Sequence, residues 1–140
     1  ASVTTIETSA FCACTKLQSI VIPSVTKIGY SGFSLCYSLQ SIEIPASVTT
    51  IEAYTFYGCT SLESVVIPDS VTTIETRAFF GCNELQSIVI PASVTKIGYS
   101  GFSLCYSLQS IEIPASVTTI EAYTFYGCTS LESVVIPDSV

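Results

Sequence analysis

The sequence predicts a β-rich solenoid of six ~23-residue coils, built from parallel in-register strands joined by short 3₁₀ or helical turns. Three observations carry this prediction. Cysteines stand at positions 14, 36, 59, 82, 105 and 128, with successive gaps of 22, 23, 23, 23 and 23. Each sits in the same surroundings, x-S-V-T-x-I-x-x-x-x-F-x-x-C-x-x-L-x-S-[IV]-x-I-P. A longer period lies above this one, since residues 24–71 match residues 93–140 at all 48 positions. A 23-residue unit cannot bury its own apolar side chains, so units with apolar positions in phase must stack on one another.

The array divides into coils at residues 1–23, 24–45, 46–68, 69–91, 92–114 and 115–137, with 138–140 opening a seventh. The second coil is one residue short, because Pro23-Ser24-Val25 stands where other joints read Pro45-Ala46-Ser47-Val48. Residues 1–23 match 69–91 at 17 of 23 positions. Within a coil, Ile20 and Ile22 alternate with Ser19 and Val21; this period of two marks a short strand with one face inward. Pro23 ends it, lacking the ladder donor. Phe11, Cys14 and Leu17 are three apart, as a 3₁₀ or single helical turn would place them. Val3 and Ile6 share that spacing, which reads as a bend or a second short strand. Parallel strands about 4.8 Å apart make six coils span roughly 29 Å.

Composition narrows the function. Of 140 residues, 49% are hydrophobic and 11% charged, with eleven acids against four bases and no His, Met or Trp. The net charge of −7 and the singly scattered Lys16, Lys27, Arg77 and Lys96 exclude a nucleic-acid partner, which needs clustered bases. The missing His removes Ser-His, Cys-His and His-metal sites together. Apolar runs such as Val65-Val66-Ile67 close at once on proline, so this segment holds no membrane span. The start, Ala1-Ser2-Val3-Thr4-Thr5, has no basic or apolar leader region, and a chain without Met reads as a processed or excerpted piece.

The pattern L-x-x-I-x-I-P-x-S-V-T-x-I-x-x-x-x-F-x-x-C resembles the BspA-type leucine-rich repeat of bacterial and protist surface proteins, and the resemblance covers all 140 residues. It implies a right-handed leucine-rich-repeat superhelix with a concave parallel sheet, extracellular or cell-surface, used in adhesion or protein binding. The chain departs from the family's Gly-x-x-Ala-Phe: it has Glu7-Thr8-Ser9-Ala10-Phe11, Gly29-Tyr30-Ser31-Gly32-Phe33 and Glu52-Ala53-Tyr54-Thr55-Phe56.

Function in a solenoid is read down columns of equivalent positions. Cys14, Cys36, Cys59, Cys82, Cys105 and Cys128 form one. Ligands in a straight stack cannot surround a tetrahedral ion, and no second column completes a site. The ladder therefore reads as buried free thiols acting as small hydrophobes. A disulfide between neighbouring coils stays open on Cα distance, though the Cβ separation lies slightly beyond the preferred range. Cys12 follows Phe11 where other coils carry Ser34, Tyr57, Phe80, Ser103 and Tyr126. That column looks outward, so Cys12 reads as an exposed thiol, either inert or a link between chains. The Phe column reads as core. The serines Ser2, Ser24, Ser47, Ser70, Ser93 and Ser116 are placed to satisfy backbone groups in the bend.

The strand column presents Val21, Glu43, Val66, Val89, Glu112 and Val135 beside serines, a surface without aromatic or Arg anchors. Tyrosines offer the better candidate surface: Tyr30, Tyr54, Tyr99 and Tyr123 before the Phe column, and Tyr37, Tyr57, Tyr106 and Tyr126 after it. They are expected to cluster on the turn edge, for contact with proteins or sugars or for plain packing over the turn. The 39 Ser and Thr residues supply acceptors for O-linked sugar, whereas Asn83, followed by Glu84-Leu85, is no N-glycosylation acceptor.

Catalysis finds no footing. Glu43 and Glu112 lie three coils apart, about 14 Å, too far for a glycosidase pair. Glu52 and Glu75 stack on adjacent coils as like charges with no positioned partner. Asp69 and Asp138 lack the alternating acids of a calcium loop. No cofactor is implied. The chain starts and stops at the same joint without a polar cap, which predicts either an excerpt of a longer array or molecules stacking end to end. Two functions follow: a non-catalytic surface module with an adhesive or structural role toward host or matrix proteins or glycans, or a filament subunit whose partners are other copies of itself.

Overall fold

The computed structural model describes residues 2–140. Every coil carries a two-residue strand at its Thr-Ile or Lys-Ile position: β1 (Thr5–Ile6), β2 (Lys27–Ile28), β4 (Thr50–Ile51), β6 (Thr73–Ile74), β7 (Lys96–Ile97) and β9 (Thr119–Ile120). Four coils carry a second strand of three residues: β3 (Ser41–Glu43), β5 (Ser64–Val66), β8 (Ser110–Glu112) and β10 (Ser133–Val135). All pairs are parallel. Thr73 pairs with Lys96 and Ser41 with Ser64, a register of one 23-residue coil, while Thr5 pairs with Lys27 and so absorbs the short second coil. In each two-residue strand the Ile points inward, and in each three-residue strand the central Ile or Val does, with its neighbours outward, the half-buried pattern of a short strand.

The two strand columns reverse the sequence expectation of their importance. The Thr/Lys-Ile column, expected as a bend or a minor strand, holds the one four-stranded sheet, β4-β6-β7-β9. The Ser-x-x column, expected to run through all six coils, forms only the pairs β3–β5 and β8–β10. Residues 19–22 of coil 1 form no strand, and coil 4 contributes only the isolated bridge of Ser87 to Ser110.

The three-residue spacing around Phe produces a series of hydrogen-bonded turns instead of a regular helix. Two residues per coil are left-handed. Ser9, Ser31, Tyr54, Arg77, Ser100 and Tyr123 lie two before the Phe, with φ of 52–61°; Ala13, Leu35, Gly58, Gly81, Leu104 and Gly127 lie two after, with φ of 58–72°. They split the amides between two directions. Ala10 and Cys12 donate within the coil, to Glu7 and Ser9 oxygens at 3.2 and 3.0 Å, whereas Ser9 and Ala13 donate across to Tyr30 and Ser34 oxygens, both at 2.8 Å. A continuous 3₁₀ helix would direct every amide into its own coil and leave the next coil unbonded.

The core follows the columns. Phe11, Phe33, Phe56, Phe79, Phe102 and Phe125 form one stack with centroids 5.2–6.0 Å apart and planes within 14°. The four central rings are fully buried, and each contributes roughly 1.5–3 kcal/mol by burial alone. No helix among the described residues is long and apolar enough to cross a membrane.

Candidate functional site

The turn edge gathers the tyrosines around a base that the sequence reading treated only as an isolated charge. Tyr30 and Tyr54 meet at 5.3 Å between centroids, and Tyr54 meets Tyr57 at 5.4 Å. Tyr57 stacks on Phe80 at 5.0 Å. Two coils on, Tyr99 meets Tyr123 at 5.6 Å, and Tyr123 meets Tyr126 at 5.7 Å. Arg77 joins the two groups: its guanidinium carbon lies 5.6–5.7 Å from the Tyr54, Phe80 and Tyr99 centroids, and Nη1 donates to the Tyr54 hydroxyl at 2.9 Å. This places a cation over three ring faces, where the quadrupoles attract it. The Tyr54 hydrogen bond also raises the Arg77 pKa, reinforcing the charged form. Arg77 takes part in no ion pair among the described residues, and its buried Nε has no hydrogen-bond partner.

Six of the eight tyrosines thus line one edge, whereas Tyr37 and Tyr106 are exposed but outside these ring contacts. Tyr30 and Tyr99 sit three residues before Phe, and Tyr54 and Tyr123 two before. Tyr123 and Tyr126 are the most open of the set, at 59% and 62% exposure.

The cysteines do more than fill space. All seven are free; Cys36, Cys59, Cys82 and Cys105 are fully buried, while Cys14 and Cys128 are half-buried in the outer coils. Each inner thiol donates to the Phe carbonyl of the preceding coil, as from Cys59 to Phe33 and from Cys82 to Phe56, at 3.1 and 3.3 Å. The ladder is therefore a set of coil-to-coil hydrogen bonds as well as small apolar bulk. Burial pushes the Cys36 thiol up to about 11 and Cys59 to about 12, and raises Cys82 and Cys105 as well. Cys12 is half-buried and not fully exposed. Its column does not uniformly look outward: Ser34 and Ser103 are buried there, donating to the Tyr57 and Tyr123 carbonyls.

Among the bend serines, Ser70 and Ser116 donate to the carbonyls of Val48 and Val94 in the preceding coil, at 2.7 and 2.6 Å, as does Ser139 to Val117 at 2.9 Å. Ser93 Oγ is buried without a partner. The carboxylate column corrects one expectation, since Glu75 is not an unpartnered like charge. Lys96 Nζ sits 3.6 Å from Glu75 and 3.8 Å from Glu121, spanning the two coils on either side.

Parallel one-coil stacking, two strand columns and a continuous Phe stack define a leucine-rich-repeat β-solenoid. The chain belongs to the BspA type leucine rich repeat family, whose model matches residues 1–105 and 49–140 in six copies; no catalytic family is indicated. It is similar to the leucine rich repeat protein of T. pallidum, with a TM-score of 0.93 and 33% identity over 97% of this chain and 64% of that one. A leucine rich cell surface protein from Faecalibacterium prausnitzii gives 0.74 and 35% over 99% and 46%. A leucine-rich repeat protein from Bacteroides ovatus gives 0.72 and 30% over 99% and 42%. The chain therefore spans less than two thirds of each of these neighbours. No curated protein matches it.

Proposed function

We propose that the chain is a non-catalytic, extracellular scaffold that adheres to host or matrix proteins or glycans through its aromatic edge. The observation that carries this reading is the aromatic edge itself: the half-buried rings of Tyr54, Phe80 and Tyr99 are held by the Arg77 guanidinium, which pairs with no carboxylate among the described residues, and exposed Tyr30 and Tyr123 pack against Tyr54 and Tyr99. Tyr and Arg are the residue types that anchor interfaces, and here their geometry is preset by one-coil stacking. The F. prausnitzii neighbour is a leucine rich cell surface protein, which supports the location. The Ser- and Thr-rich surface fits O-linked sugar in such a setting.

The test is a screen of glycans and matrix proteins against the intact chain and a Tyr123→Ala/Tyr126→Ala variant. Hits that weaken at least tenfold in the variant are expected. An empty screen, or hits indifferent to the substitutions, overturns the reading.

End-to-end assembly is a second reading, favoured by one observation. Residues 46–68 and 115–137 are identical, and the former carry coil 4 on the face that the latter also possess. Light scattering on the 140-residue chain decides it: a single-chain mass at all concentrations rejects the filament.

A further inference from the structure

The strand column opens at two equivalent places. Between coils 1 and 2 a groove of about 300 Å³ is lined by Ile20, Val21, Pro23 and Glu43. Between coils 4 and 5 a groove of about 480 Å³ is lined by Ile88, Val89, Pro114 and Glu112. At both places the Ile-Val-Ile segment leaves the ladder beyond its start: Gln40 N–H donates to the Gln18 oxygen, and Gln109 N–H to the Gln86 oxygen beside the isolated bridge of Ser87 to Ser110. Each groove has apolar walls and one carboxylate, joined in the second by Ser87 and Ser110, and neither Glu43 nor Glu112 has a cationic partner among the described residues.

We propose that this pair of grooves docks an extended basic segment of a partner protein, with Lys or Arg side chains four residues apart. An apolar channel with a carboxylate fits a side chain that has an apolar stem and a cationic head. Spacing selects the register. The grooves lie three coils apart, about 14 Å at the ladder spacing, and an extended chain covers about 13.5 Å in four residues. Residues i and i+4 of an extended chain also face the same side, so both cations enter together. The net charge of −7 steers such a segment toward the protein. Docking here is independent of the aromatic edge.

The test is fluorescence anisotropy with synthetic peptides carrying two lysines spaced i,i+4 or i,i+3 in a Thr/Val background. The i,i+4 peptide is expected to bind at least fivefold more tightly. Glu43→Gln and Glu112→Gln each weaken it two- to fivefold, the double variant more, and added salt weakens it further, as for ion pairs near a surface. Both glutamates are exposed, so unchanged circular dichroism checks the fold. Tyr123→Ala leaves this binding unchanged, which separates it from adhesion at the aromatic edge. No binding of the i,i+4 peptide, equal affinity for both spacings, or indifference to the double variant overturns the proposal.

Discussion

The buried thiols make stability depend on pH in a way that their packing fixes. An unfolded cysteine ionises at its ordinary value of 9.0, whereas burial holds Cys36 up to about 11 and Cys59 up to about 12, with Cys82 and Cys105 also raised. Above pH 9 the unfolded chain therefore binds fewer protons than the folded one, so stability falls as pH rises. The loss begins near pH 9, and for Cys36 it ends near 11 and for Cys59 near 12. At pH 10 Cys36 and Cys59 have each withdrawn on the order of 1 kcal/mol, and Cys82 and Cys105 act in the same direction. A domain of this kind has about 5–15 kcal/mol in all, so the loss between pH 9 and 10 is a measurable share of its stability. Urea unfolding under reducing conditions, followed by far-ultraviolet circular dichroism at pH 7.5, 9 and 10, measures the loss. Cys82→Ala is less stable at pH 7.5, but its decline to pH 10 is shallower, because it lacks one thiol whose pKa burial raises. Equal declines in the two proteins, or a flat wild-type profile, refute the assignment.

Three further outcomes follow from the coil geometry. Phe79→Ala in the middle of the stack costs about 3–5 kcal/mol in urea unfolding, whereas Phe125→Ala, in a half-buried ring at the outer coil, costs less than half as much. Ala13→Gly raises the melting temperature by relieving a left-handed alanine worth about 1 kcal/mol, while Gly98→Ala lowers it, because the new Cβ would stand 2.7 Å from the Thr76 amide nitrogen. Arg77→Lys costs about 1 kcal/mol in thermal unfolding, since an ammonium cannot lie across three rings, and Arg77→Ala costs no less.

What the sequence made legible was whatever recurs once per coil. Phe56 and Cys59 occupy the same environment as Phe79 and Cys82, so a repeated letter identifies a repeated place in the core. The left-handed positions were less visible because their residue types vary. Gly58, Gly81 and Gly127 marked one of them, but Leu35 and Leu104 adopt the same backbone and concealed the rule. The other position, held by Ser, Tyr or Arg, carries no glycine at all. The break in the strand ladder was illegible for a similar reason: Ile88-Val89-Ile90 has the better strand composition, yet Ser110-Ile111-Glu112 is the segment that pairs. Backbone pairing in such short strands is settled by how the turns aim neighbouring coils, and composition does not report that aim.

Arg77 shows how much information lies in departures from a repeat. Coil 4 differs from coil 1 at six positions, five of them in the turn: Arg77 for Ser9, Phe80 for Cys12, Gly81 for Ala13, Asn83 for Thr15 and Glu84 for Lys16. Two of these five build the contact between coils 3 and 4. Arg77 bonds Tyr54 and spans to Tyr99, and Phe80 stacks on Tyr57. Serine or cysteine there would leave Tyr54 and Tyr57 without these contacts. Coil 4 also lacks a paired Ser-x-x strand toward coil 3, so the turn edge supplies contacts that the strand edge does not. The aromatic edge therefore acts as a staple along the solenoid: the same guanidinium that clamps coil 4 to coil 3 through Tyr54 also lies over Tyr99 of coil 5, so one departure from the repeat ties three coils together.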